Sequence, residues 1–181
     1  YWSRSLVSLK LCPAAELTVA DAKALEEALN SLRAIQHLTL NFVNINPDKH
    51  WDFNLTAPLM NKLTTLSIRH EGSLKIELII EELGPKFEFL ELRGANFDVV
   101  KFGRVVREHS TLKQTLKRLI ISLSLDGTGP NDQNIALLNS IVCSSFPLLE
   151  QYDIGIDNED VLPSSVSISS IAKQVAILDL S

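Results

Sequence analysis

Cysteine, glycine and positive charge are all scarce in this chain, and each scarcity excludes a class of protein. Cys12 and Cys143 are the only two cysteines in 181 residues, too few for a disulfide framework or a structural zinc site. So thiol-poor a chain fits a reducing compartment, the cytosol or the nucleus. One glycosylation triplet, Asn54-Leu55-Thr56, would suit a secreted protein, but such triplets are common by chance. Lys and Arg number 17 against 22 Asp and Glu, giving a net charge of −5 and a pI near 5.4. That balance argues against a general nucleic-acid binder, which needs a basic surface. No apolar run approaches the ~18–20 residues that cross a bilayer, so no membrane partner is expected. An initiator Met and a basic-then-apolar leader are both missing from Tyr1-Trp2-Ser3-Arg4. Residues 1–181 therefore read as a single domain cut from a longer protein.

What is present points to a folded, periodic chain. Apolar residues at 45% and charged residues at 22% exclude a disordered chain or a coiled coil. One pattern, apolar-x-x-apolar-x-apolar, recurs seven times: Leu6/Leu9/Leu11, Ile35/Leu38/Leu40, Leu63/Leu66/Ile68, Phe87/Leu90/Leu92, Leu116/Leu119/Ile121, Leu149/Tyr152/Ile154 and Val175/Leu178/Leu180. The triplets begin 29, 28, 24, 29, 33 and 26 residues apart. A Leu-rich chain supplies a few such triplets by chance, but not an even series from end to end.

The last two residues of each triplet lie two apart, so on a strand they share one side while their neighbours share the other. Strands are expected near residues 9, 38, 66, 90, 119, 152 and 178. Between them the spacing turns helical. Residues 19–29 are rich in helix formers and place Ala22, Leu25 and Leu29 on one face. Asp98 stands where it can cap a helix carrying Val99, Phe102, Val106 and Leu112. Asp132 can do the same for Ile135, Leu138, Ile141 and Val142. Residues 74–83 are similar, while 55–62 and 164–173 are short and weakly helical. The expected fold class is α/β, with one strand and one helix in each ~28 residues.

This series resembles the leucine-rich-repeat family over essentially the whole chain. The helix length and period are similar to the ribonuclease-inhibitor-like subclass, as in cytosolic immune receptors, and to the repeats of F-box substrate receptors. The resemblance implies a solenoid of six to seven repeats, with a curved parallel sheet on the concave side and helices on the convex side. In the family an Asn or Cys follows the last strand Leu by three residues and bonds the turn backbone. Here that place holds Val43, Glu71, Ala95, Ser124 and Asp157, with Asn44 and Asn96 one residue later. The array is therefore divergent.

Sites for chemistry are weak by comparison. Gly127-Thr128-Gly129-Pro130 follows a strand and precedes a helix, but it lacks the Lys-Ser/Thr of a phosphate loop and the glycine spacing of a dinucleotide turn. It reads as a turn, with Pro130 and Asp132 starting the helix. His37, His50, His70 and His109 stand 13, 20 and 39 residues apart, unlike metal ligands. Glu26-Glu27 and Glu81-Glu82 point about 100° apart on helices and read as solvated faces. No catalytic residue, metal or cofactor is expected.

The face opposite the triplets is the better candidate. Its central strands carry His37, Asn41, Arg69, His70, Phe89, Glu91, Arg93 and Arg118, rich in the Arg and aromatic types that dominate binding hot spots. Seven strands at ~4.8 Å make a face roughly 30 Å long, enough for a standard interface. The expectation is a protein-interaction scaffold whose partner is another protein or peptide on this concave face, with flanking domains or a partner chain covering the solenoid ends. Arg69, Arg93 and Arg118 should point away from the core, so reversing their charge should weaken binding without lowering Tm. The alternative is an α/β enzyme with alternating strands and helices, which would need strands buried on both faces and glycines at strand ends.

Overall fold

A computed structural model describes residues 4–12, 18–42, 55–70, 76–95, 99–124 and 132–157. Along them run β1 (Ser8–Leu11), α1 (Val19–Asn30), β2 (His37–Phe42), α2 (Ala57–Met60), β3 (Thr65–His70) and α3 (Ile76–Glu81). The order continues with β4 (Phe89–Ala95), α4 (Val99–Glu108), α5 (Ser110–Thr115), β5 (Arg118–Ser124), α6 (Asp132–Ser145) and β6 (Gln151–Asp157). The six strands form one sheet in the order β1-β2-β3-β4-β5-β6, and every pair is parallel. Six of the seven expected strands are thus in place. The triplet at 175–180, the 164–173 segment and the 127–130 turn lie outside the described residues.

The apolar triplets set the register. Leu9, Leu38, Leu66, Leu90, Leu119 and Tyr152 align across the sheet, as do Leu11, Leu40, Ile68, Leu92, Ile121 and Ile154. From β2 to β5 all of these side chains are buried, and so are the leading residues Ile35, Leu63, Phe87 and Leu116. On the edge strand β1, Leu9 and Leu11 are only partly buried. The same core takes in Leu29 of α1, Leu59 and Met60 of α2, Ile80 of α3, Phe102 and Val106 of α4, Leu112 of α5 and Leu138 and Val142 of α6. The helices therefore cover the face that carries the triplets.

A backbone motif recurs ahead of each strand. The carbonyls of Val7, Gln36, Thr64, Glu88 and Lys117 each accept two N–H groups from the two residues that enter the next strand, at 2.7–3.1 Å. Five equivalent rungs satisfy polar backbone where each chain segment turns into the sheet.

Local chemistry fixes the helix ends. Thr18 caps α1 through a reciprocal box: its hydroxyl accepts from the Asp21 amide at 3.2 Å, and Asp21 Oδ2 accepts from the Thr18 amide at 3.0 Å. The Thr18 hydroxyl and then its amide, both donating to the carboxylate, hold Asp21 below the usual carboxylate range. Asn30 ends α1 and accepts from both the amide and the hydroxyl of Thr56, the residue just before α2.

Two helix readings need correction. The helix expected to run from Asp98 to Leu112 is broken at His109, whose Nδ1 accepts from the Leu112 amide at 3.0 Å and caps a separate α5. An amide can only donate, so that nitrogen carries a lone pair. Asp132 is the first residue of α6 rather than the residue before it; Asp98 lies outside the described residues. Gly103 lets α4 pack on α6, since a Cβ there would sit 2.5 Å from Ile141 Cδ1.

Candidate functional site

Parallel pairing, in step as far as Arg93 where the β4–β5 register shifts, turns the other face of the sheet into three rows. The first runs Ser8, His37, Thr65, Phe89, Arg118, Gln151, and the second Lys10, Thr39, Ser67, Glu91, Ile120, Asp153. The third runs Asn41, Arg69, Arg93, Ser122, Gly155. Where described, these side chains are exposed or half-buried, apart from Ser122. Six strands at ~4.8 Å span roughly 24 Å from β1 to β6.

Two clusters form on this face. In the first row the Arg118 guanidinium lies 4.6 Å from the centre of the Phe89 ring on the neighbouring strand. Such a cation–π contact contributes about 0.5–1 kcal/mol at an exposed site and restricts the arginine's rotamers. In the second cluster Glu91 is shared: Oε2 accepts from Ser67 Oγ at 2.7 Å and Oε1 from Arg93 Nε at 2.6 Å. Its side chain is 16% exposed against 47% for Arg93, so the carboxylate is the sheltered partner. Arg69 lies in register between Asn41 and Arg93 and is half-buried.

The remaining predicted residues sit apart from these clusters. His37 Nδ1 lies 3.0 Å from Thr65 Oγ1 and 3.3 Å from Thr64 Oγ1, two strands from Phe89. Asn41 Oδ1 is buried without a hydrogen-bond partner. His70 closes β3, and its side chain lies outside the described residues. Just ahead of β4 and β5, Glu88 accepts from Lys117 Nζ at 2.9 Å, and this bond, with the Glu88 charge, holds the Lys117 ammonium above the usual lysine range.

One expectation changes here, and one residue joins the site. Arg93 and Arg118 point away from the core, but they are not idle in the folded chain, because one bonds Glu91 and the other stacks on Phe89. Reversing them removes both contacts, so stability falls as well. Ser67 was not singled out by sequence because it has neither charge nor ring. Aligning the triplets puts it directly across from Glu91, which is the signal that identifies it.

Among the described residues no three His, Cys, Asp or Glu side chains group as a metal site would require, and no helix is long and apolar enough to cross a membrane. No family model, curated protein or solved structure matches the chain.

Proposed function

We propose that this chain is a divergent leucine-rich-repeat solenoid acting as a protein-binding scaffold, with the Phe89–Arg118 and Ser67–Glu91–Arg93 clusters at the centre of its binding face. The observation that supports the reading is recurrence: an equivalent carbonyl rung stands ahead of five successive strands, and two apolar rows run across all six. Stacked units of this kind bury a continuous core on one side and leave an extended binding surface on the other. A doubly wound enzyme would instead bury both faces of its sheet. The ligand is a protein segment that brings a carboxylate or carbonyl to Arg118 and an apolar group to Phe89 and Ile120. Free, exposed Cys12 and Cys143 suit a reducing compartment, the cytosol or the nucleus.

Selection of ligands from a displayed peptide library tests this. Binders retested on Phe89→Ala and Arg118→Ala should lose affinity by about tenfold or more, the range of a hot-spot residue. Binders indifferent to both changes would exclude the face as the site.

A further inference from the structure

The helical layer carries a second surface that the sheet face does not explain. On α4, Val99, Phe102, Gly103, Val105 and Val106 are buried. The outward side is Val100, Lys101, Arg104, Arg107 and Glu108, and these five line a groove of about 600 Å³. Val100, Arg104 and Arg107 stand four, three and seven apart and so share one stripe of the helix, with Lys101 and Glu108 beside it. Among the described residues of the groove, three cations against one carboxylate stand out in a chain with 22 acidic and 17 basic residues.

Two observations go beyond a solvated face. Val100 is 65% exposed, the highest value among the exposed large apolar side chains of the described residues. A face built only for solubility has no use for it. Among the described residues, neither Arg104 nor Arg107 is ion-paired; Arg107 Nε donates to the Gly103 carbonyl at 3.0 Å, which holds its stem along the helix. The aliphatic stems of Lys and Arg add apolar lining while their heads stay charged. The groove thus joins an apolar seat to a row of cations about 4.5 Å apart along the axis, from three residues at 1.5 Å each.

From this juxtaposition of exposed Val100 with Arg104 and Arg107, we infer that α4 is a docking site for an acidic helical segment of a partner protein. Carboxylates recurring every three or four residues match the arginine spacing, and one apolar side chain seats on Val100. A nucleic acid fits less well, since the exposed Val100 offers nothing to a phosphate backbone. The inference does not rest on the sheet-face reading, because the two surfaces share no residue.

The test is fluorescence anisotropy on the full 181-residue chain, using a labelled synthetic helix with Glu at every third or fourth position and a single Leu. Saturable binding should weaken by at least about tenfold, or about 1.4 kcal/mol, in Arg104→Glu/Arg107→Glu, and also fall in the milder Arg104→Gln/Arg107→Gln. Val100→Ser should weaken it severalfold. Phe89→Ala/Arg118→Ala should leave it within about twofold, as distant sites act independently. Circular dichroism and Tm confirm that each variant is folded. The proposal is overturned if the peptide does not saturate, if the α4 variants bind as well as the parent, or if the sheet-face variant is the one that loses binding. Binding of a single-stranded RNA as tight as that of the peptide, indifferent to Val100→Ser, overturns it in favour of a phosphate site.

Discussion

Gly103→Ala tests how α4 and α6 fit together. In an ordinary helix the change stabilises by about 1 kcal/mol, because glycine has the more flexible unfolded chain. Here the new Cβ meets Ile141 Cδ1 at 2.5 Å and Cγ1 at 3.2 Å, and Ile141 is itself buried. Overpacking of this kind costs about 1–3 kcal/mol, so the net effect is a loss of about 1 kcal/mol. Ile141→Val alone removes one buried methyl and costs about 0.5–1.5 kcal/mol. In the double variant the added methyl occupies the space of the deleted one. The close contact is relieved to 3.2 Å and the helix gain is kept, so stability returns near the parent value. The coupling is then about 2 kcal/mol, within the range for touching residues. Urea unfolding of the four proteins at constant m measures it. Additive losses would show that Gly103 does not face Ile141, and the packing of α4 on α6 described above would be wrong.

Other perturbations probe different links. Gly84→Ala should cost about 1–3 kcal/mol or more, because its Cβ would press on the backbone of Asn61 at 2.6–2.9 Å, which trimming a side chain cannot relieve. Leu90→Ala empties a site 1% exposed at the middle of the sheet and should cost about 2–5 kcal/mol by chemical denaturation. Arg93→Glu sets a second carboxylate beside Glu91 and should lower Tm by about 2–4 °C, less at high salt; an unchanged Tm at low salt would disprove the pairing. Burial first, then the nearby Cys143 and Asp153, push the Tyr152 phenol up. The folded state then holds that proton more tightly than the unfolded chain, so stability should fall as pH rises past about 10. Tyr152→Phe should remove that alkaline slope, and lose about 1 kcal/mol with the bond to Asn139.

The strands were legible because a buried parallel sheet with one open face imposes a strict spacing on its core residues. Leu38/Leu40 and Leu90/Leu92 can face the same way only two apart, and the leading Ile35 and Phe87 fill the turn beneath them. The helix break at His109 was not legible. No Gly or Pro marks it, and the signal is a ring nitrogen taking over the role of an oxygen cap. The capping of α1 by Thr18 was missed for a related reason: its partner is Asp21 rather than the more usual Glu or Gln. On the open face, residue types gave Arg93 and Glu91 but not their bond. That bond depends on rotamers and on Ser67 across the strand, and neither is encoded in the triplet pattern.

Sequential strand order also bears on how the chain is made. Each strand pairs with the one just before it, beginning 24–33 residues further on, so no strand has to wait for a distant partner. At ribosomal speeds of about 5–20 residues per second, a new strand emerges roughly every 1–7 s. Its partner has already been synthesised, and each arrival closes a loop of similar length. The sheet can therefore be laid down at the pace of translation, with only the newest strand waiting for its next neighbour.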